Sequence, residues 1–440
     1  MNNFYLFLAA CAVFVMANVV SAKEGGQQCL LELVPAQPIL PVDQKTELCL
    51  KVGVTGFKME SDAKRPELNI ALVIDRSGSM GGEKIQQAKE AAACAVNQMK
   101  ECDIVSIVVY DNEVEVLVPA TKLTDKKDIL SKIESIQSGG TTALYAGTEK
   151  GAEEVKKFFD KGRVNRVILL SDGIANVGPS SPEELGKLGQ KLGGSGVTVT
   201  TLGLGSGFNE DLMQRLAQAS DGNHIFITSE NNLVEVFDDE FKTVTKVVAS
   251  EVSCKVACAE GVRPIRVMNR EAEINGREVK FDWNQIYSEH QRYVLLEVEV
   301  PAGANGEKRL VATATVTYAN MSTNVTDTLS DSVEISYSDS EDRIRAAENK
   351  EVVKDYVAQS VATARDEAVK LRDQGNIADA KMKLFSAGRQ AESVGMDAVA
   401  SELAAEAEAV QDGASWNDLR KSIRARSNST QNQQISAPVK

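Results

Sequence analysis

Between Leu68 and Ile74 the chain reads LNIALVI, a mostly apolar, β-prone run bounded by a turn-rich segment. Such a run predicts a strand buried on both faces. From there strands and helices alternate. Gly82 to Met99 repeats Ile85, Ala88, Ala92, Val96 and Met99 along one helical face, and Asp103 to Tyr110 is the next apolar strand. Val114 to Thr121 reads as an edge strand reached through a tight turn at Asp111-Asn112, followed by helices at Asp125 to Ile136 and Thr142 to Phe159. The second unbroken apolar run is Val167 to Leu170. After it the spacing predicts helix Pro182 to Leu192, strand Val197 to Leu204, helix Asn209 to Ala219, strand His224 to Thr228 and helix Asn231 to Val244. This rhythm is that of a mostly parallel sheet covered on both faces, where ligands sit beyond the carboxyl ends of the strands.

The flanks follow other periods. Cys29 to Val34 and Thr46 to Val54 read as two strands joined through Pro35, Pro38 and Pro41, and two strands do not stand alone. Val247 to Cys258, Ile265 to Met268, Val279 to Trp283, Tyr293 to Val300, Leu310 to Tyr318 and Val333 to Tyr337 have no helical period between them, so they predict an antiparallel sandwich. The early strands complete it. The expected fold class is therefore an α/β doubly wound, mostly parallel sheet over 67–244, inserted in an antiparallel β-sandwich made of 23–66 and 245–340. A helical region follows over 341–426, with breaks at Gly375-Asn376 and near Gly395 that predict a packed αα hairpin. Polar, apolar-poor 427–440 reads as a disordered tail.

The chain has 440 residues, 43% of them hydrophobic, enough for two or three domains with cores of their own. A net charge of −14 opposes nucleic-acid or anionic-membrane binding, because no basic stripe is available to neutralise phosphates. Residues 1–22 read as a secretory signal peptide, apolar from Phe4 to Val20 and ending in Val20-Ser21-Ala22. Export is thus expected, and no second apolar span of membrane length follows. Six cysteines then remain: Cys29, Cys49, Cys94, Cys102, Cys254 and Cys258. In an extended strand Cys254 and Cys258 stand about 13 Å apart, beyond disulfide reach. They are expected to bond to Cys29 and Cys49 in an order left open, with Cys94 to Cys102, or unpaired burial of that pair, as the remainder. Asn320, Asn324 and Asn428 each open an N-x-S/T sequon.

Candidate chemistry gathers at strand ends. Asp75, Ser77 and Ser79 form D-x-S-x-S on the loop leaving the first buried strand, which places one carboxylate and two hydroxyls for a hard cation. A polar turn with an Asx-type bond is the bland alternative. Ser138-Gly-Gly-Thr-Thr142 opens a later helix, and Ser171-Asp172-Gly173 ends the second buried run. Enzyme signatures are scarce. The only histidines are His224, at a strand start, and His290, in a polar loop; there is no H-E-x-x-H pair and no G-x-S-x-G turn. GLGSG lacks the lysine of a phosphate loop and reads as a turn.

DRSGSM, GGTTALYAG, RVILLSDGIANVG and TTLGLGSGFNEDLM, in this order, resemble the von Willebrand factor type A (VWA) domain, in particular the secreted branch once labelled calcium-activated chloride-channel-like. The resemblance runs from Leu68 to Val244 and more loosely to about residue 410. It implies a metal-ion-dependent adhesion site made of Asp75, Ser77, Ser79, Thr142 and Asp172, in which the hydroxyls bind directly and at least one aspartate acts through water. Thr141 is the alternative to Thr142. These oxygens supply only two formal charges, so a bound Mg²⁺, or Mn²⁺ or Ca²⁺ in its place, stays electrophilic enough to accept a ligand carboxylate. Arg76 either faces a ligand or is a solvated loop arginine, and Asn176 braces its loop. The implied protein is a secreted, non-enzymatic binding or adhesion module for an extracellular partner presenting a carboxylate. The alternatives are a structural or matrix protein with a fold-stabilising ion, or a metal-dependent hydrolase using Asp75 and Asp172.

Overall fold

The computed structural model describes residues 26–59, 65–172, 175–205, 207–229, 232–413 and 415–435. The expected signal peptide lies outside them. Strands β1 (Cys29–Pro35), β2 (Ile39–Pro41) and β3 (Thr46–Gly56) lead into the parallel sheet, which runs β4 (Glu67–Asp75), helix α1 (Glu83–Gln98), β5 (Ile104–Tyr110), β6 (Val114–Lys122), α2 (Lys126–Glu134), α3 (Leu144–Lys156), β7 (Arg163–Ser171), α4 (Pro182–Gly193), β8 (Thr198–Leu204), α5 (Glu210–Ala219), β9 (His224–Ile227) and α6 (Leu233–Val244). Its strand order is β6-β5-β4-β7-β8-β9, parallel except for β6 against β5.

The unbroken apolar run of β4 is explained by its position in the middle of this sheet. Successive side chains of a strand point to opposite faces. Leu68, Ile70, Leu72 and Ile74 enter one core with α1 and α6, while Ala71 and Val73 enter the other with α3, α4 and α5. On the second face α3 lies very close to the sheet. A Cβ on Gly151 would stand 2.3 Å from Val73 Cγ2, so only glycine lets the helix approach this far.

After α6 the chain forms β10 (Val247–Cys258), β11 (Arg263–Val267), β12 (Glu273–Asn275), β13 (Glu278–Tyr287), β14 (Gln291–Val300), β15 (Lys308–Asn320) and β16 (Thr326–Ser338). These combine with the first strands into two sheets, β1-β3-β14-β11 and β12-β13-β10-β15-β16-β2. The inward side chains Leu48, Leu50, Val52 and Val54 of β3 and Val252, Cys254, Val256 and Cys258 of β10 share one core. The α/β unit is thus inserted between two halves of a sandwich, leaving from β3 and returning at β10. Helices α7 (Glu341–Ala346), α8 (Lys350–Asp373), α9 (Ile377–Ser393), α10 (Asp397–Ala409) and α11 (Trp416–Gln431) close the chain. No helix among the described residues is long and apolar enough to cross a membrane.

Two expectations need correction. The tail expected to be disordered from 427 is part of α11 up to Gln431, with Ser427 and Asn428 fully buried. Its order comes from polar partners rather than apolar periodicity: Ser427 Oγ donates to the Ala362 carbonyl at 2.9 Å, and Gln431 Nε2 donates to Asp366 at 3.0 Å. The disulfide set does not form, and all six cysteines carry free thiols. Cys29, Cys254 and Cys258 line the sandwich core, whereas the two-residue period of β3 turns Cys49 outward against Tyr356 of α8. Cys49 therefore faces away from both β10 cysteines. Of the sequons, Asn428 is buried and bonded by Asn432 at 3.0 Å. Asn320 is also buried, and its Nδ2 donates to the Gly26 carbonyl at 2.9 Å and to Asp327 at 2.8 Å. Asn324 alone stands exposed on its turn.

Candidate metal centre

Asp75 is the last residue of β4 and Ser171 the last of β7, its parallel neighbour. Because the strands are adjacent, their carboxyl ends deliver both side chains to one point. Ser171 Oγ donates to Asp75 Oδ2 at 2.6 Å, and the Ser77 amide donates to Asp75 Oδ1 at 2.8 Å. Burial pushes the Asp75 carboxyl up, hydrogen bonds from Ser171 and Ser77 pull against it, and the charge of Asp172 adds to the rise.

The next residues form a single 3₁₀ turn, Gly78–Met80, anchored by buried Met80. Ser77 Oγ, just before the turn, lies 3.1 Å from Ser79 Oγ, which donates to Asp172 Oδ1 at 2.7 Å. The other oxygen of Asp172 pairs with Lys84 Nζ from the first turn of α1. Thr142 precedes α3 by two residues rather than opening it, and it is held by its backbone. Its amide donates to Asn176 Oδ1 at 2.9 Å, and the Asn176 amide donates back to its carbonyl at 3.2 Å.

The loops also lock to one another. Gly139 N donates to the Arg76 carbonyl at 2.7 Å and Gly78 N to the Gly140 carbonyl at 3.1 Å. Gly140 has φ +79°, and a Cβ there would fall 2.4 Å from Asn112 Oδ1, so this contact requires glycine. From the fourth side, the backbone at Gly207 abuts Asp172, leaving a Cβ at Gly207 only 2.9 Å from the Asp172 carbonyl.

Asp75, Ser77, Ser79 and Asp172 are therefore joined by hydrogen bonds, whereas Thr142 stands on the loop whose Gly139 and Gly140 bond the Arg76–Gly78 backbone. The Arg76 guanidinium is paired within the loops: Nε reaches Asp111 at 2.9 Å and Nη1 reaches Glu115 at 2.8 Å. Asn176 braces its loop as expected. Reasoning from sequence missed Ser171 as a partner of Asp75 and Lys84 as a partner of Asp172; only Ser171 had a signal, through its place in S-D-G. His224 is buried at the start of β9, with Nδ1 2.9 Å from Thr201 Oγ1, and His290 Nε2 lies 2.6 Å from the Gln433 carbonyl. Neither is near the cluster's hydrogen bonds.

The donors suit a hard divalent cation, since all are oxygens. Among the described residues no group of three or more His, Cys, Asp or Glu side chains gathers to hold a metal, so an ion here depends on hydroxyls. A cation at this point would also offset the desolvation that pushes Asp75 up.

Residues 69–240 match the von Willebrand factor type A domain. The chain is 29% identical to an uncharacterised protein of Escherichia coli K12, YfbK, over 51% of this chain and 41% of that one. It is 31% identical to human inter-alpha-trypsin inhibitor heavy chain H3, over 35% of this chain and 18% of that one. The chain thus spans less than half the length of these curated relatives. In fold it is similar to a von Willebrand factor type A protein from Catenulispora acidiphila, with a TM-score of 0.71 at 17% identity, covering 87% of this chain and 90% of that one.

Proposed function

We propose that this chain, whose residues 69–240 form a VWA domain, is a secreted, non-enzymatic binding module that captures an acidic group of an extracellular protein through a divalent ion. VWA domains commonly mediate metal-dependent protein binding. The observation that carries the reading is the hydroxyl and carboxylate chain Ser77, Ser79, Asp172 beside buried Asp75. In this reading Ser77, Ser79 and Thr142 hold Mg²⁺, or Mn²⁺ or Ca²⁺, and Asp75 and Asp172 supply its charge balance. The bound ion supplies a Lewis-acidic position for a carboxylate oxygen.

The chain's own part is to preorganise those donors. Ser171 and the Ser77 amide fix the Asp75 carboxylate, and Asn176 fixes the backbone of Thr142. A shell of neutral hydroxyls leaves the ion short of anionic charge, which favours capture of a carboxylate over activation of water. Partner binding is further proposed to move α6, because that helix runs straight into β10 and its displacement would reach the sandwich.

Calorimetric titration of the full chain with Mg²⁺ and Mn²⁺ tests the site. Wild type is expected to bind, and Asp75→Ala to lose binding with an unchanged circular dichroism spectrum. Equal binding by both proteins refutes the assignment. Capture of a partner from extracellular medium should be lost with chelator and in the variant, whereas capture insensitive to chelator would leave the ion a structural role.

A further inference from the structure

We infer that Lys84 is a specificity-determining residue of the metal centre: its ammonium, seated on Asp172, weakens the hold on the cation and strengthens the cation's hold on an incoming carboxylate. The inference rests on the metal reading proposed above. Lys84 lies in the first turn of α1, and Nζ pairs with Asp172 Oδ2 while also standing 3.5 Å from the Ser79 carbonyl. The Asp172 side chain is fully buried, whereas that of Lys84 is 27% exposed. The lysine therefore reaches buried Asp172 from the solvent side. Arg76, the other cation on the described residues of these loops, is paired with Asp111 and Glu115.

Charge counting gives the consequence. Counted formally as ionised, Asp75 and Asp172 contribute two negative charges and Lys84 one positive, a sum of −1 for these three side chains. A divalent ion takes it to +1, and a carboxylate then brings it to zero. Without Lys84 the same sequence would be −2, zero and −1. The ion would be held more tightly, and the ligand would meet a neutral centre instead of a positive one. At a few ångströms, with near-water screening around the partly exposed lysine, one unit charge is worth roughly a tenfold change in either affinity, and in opposite directions.

The test uses full-length wild type, Lys84→Met and Lys84→Arg. Mn²⁺ affinity is measured by electron paramagnetic resonance. Acetate, as the carboxylate probe, is titrated into the Mn²⁺-loaded protein while water-proton relaxation reports loss of inner-sphere water. Lys84→Met should bind Mn²⁺ about tenfold more tightly and acetate about tenfold more weakly, and Lys84→Arg should follow wild type in both. If Lys84→Met matches wild type, or moves both affinities in the same direction, the inference is overturned while the metal reading stands. Failure of wild type to bind Mn²⁺ overturns the metal reading itself, and the role of Lys84 with it.

Discussion

Replacing Glu240 with alanine should unfasten the inserted domain from the sandwich. Glu240 of α6 and Arg166 of β7 have no exposed side-chain surface, and Nη1 of the arginine meets Oε1 of the glutamate at 2.6 Å. Thr200 of β8 donates to Oε1 at 2.7 Å and Asn223 to Oε2 at 2.8 Å. The other guanidinium nitrogen of Arg166 reaches Gln285 at 2.6 Å and Tyr287 at 2.5 Å on β13, so the pair joins both domains. Breaking a buried pair by removing one partner leaves a charge without compensation and costs about 3–5 kcal/mol. For a unit of this size that is a fall in melting midpoint of roughly 6–20 °C. Differential scanning calorimetry would read it, on the α/β transition if the domains melt separately. A double variant, Arg166→Met with Glu240→Leu, removes both charges and should recover most of the loss. A shift below about 2 °C in Glu240→Ala, or a double variant no better than the single one, would show that the pair does not hold α6 in place.

Burial holds the His224 imidazole down to about 4, with Glu210 opposing and Lys421 adding to the fall. Below about pH 6.5 the unfolded chain therefore takes up a proton that the folded chain refuses, so stability falls as pH drops from there toward 4, by about 3 kcal/mol at most. Urea unfolding between pH 7 and 4 should show this slope in wild type and a shallower one in His224→Phe; identical slopes would remove His224 as the cause. Expressed in a eukaryotic secretory host, the folded chain should carry glycan at exposed Asn324 alone, since Asn320 and Asn428 are buried and bonded. Glycopeptide mass spectrometry that finds occupancy at Asn428 would contradict the packing of α11.

The parts of the fold that were legible in the sequence are those where burial imposes a period. An unbroken apolar run marked β4 as central, and the alternation in β10 marked one inward face. The same alternation in β3 turns Cys49 away from Cys254 and Cys258, which the spacing of the two β10 cysteines alone does not reveal. The last turn of α11, from Ser427 to Gln431, fell outside the expected helical region because its burial is polar: Ser427 and Asn428 are inside, and Ser427 and Gln431 bond groups far away in the chain. Such partners leave no local pattern. At the candidate site, D-x-S-x-S and S-D-G announced the oxygens, because short loops at neighbouring strand ends must carry them within a few residues. Lys84 gave no such signal, since Asp172, its partner, lies 88 residues away and meets it only once β4 and β7 are paired.

The insertion topology also determines how tension would travel. A pull applied at the loops beyond β4 and β7 runs down the sheet to its opposite end, where the chain crosses to β3 and β10. Each of these receiving strands is internal to its sheet, β3 between β1 and β14 and β10 between β13 and β15. Neither can be peeled from an edge; each must slide against ladders on both sides, loading many hydrogen bonds together. Release under force would then be governed by an unfolding rate rather than by equilibrium stability, which makes the sandwich a grip that resists extraction of the domain it surrounds.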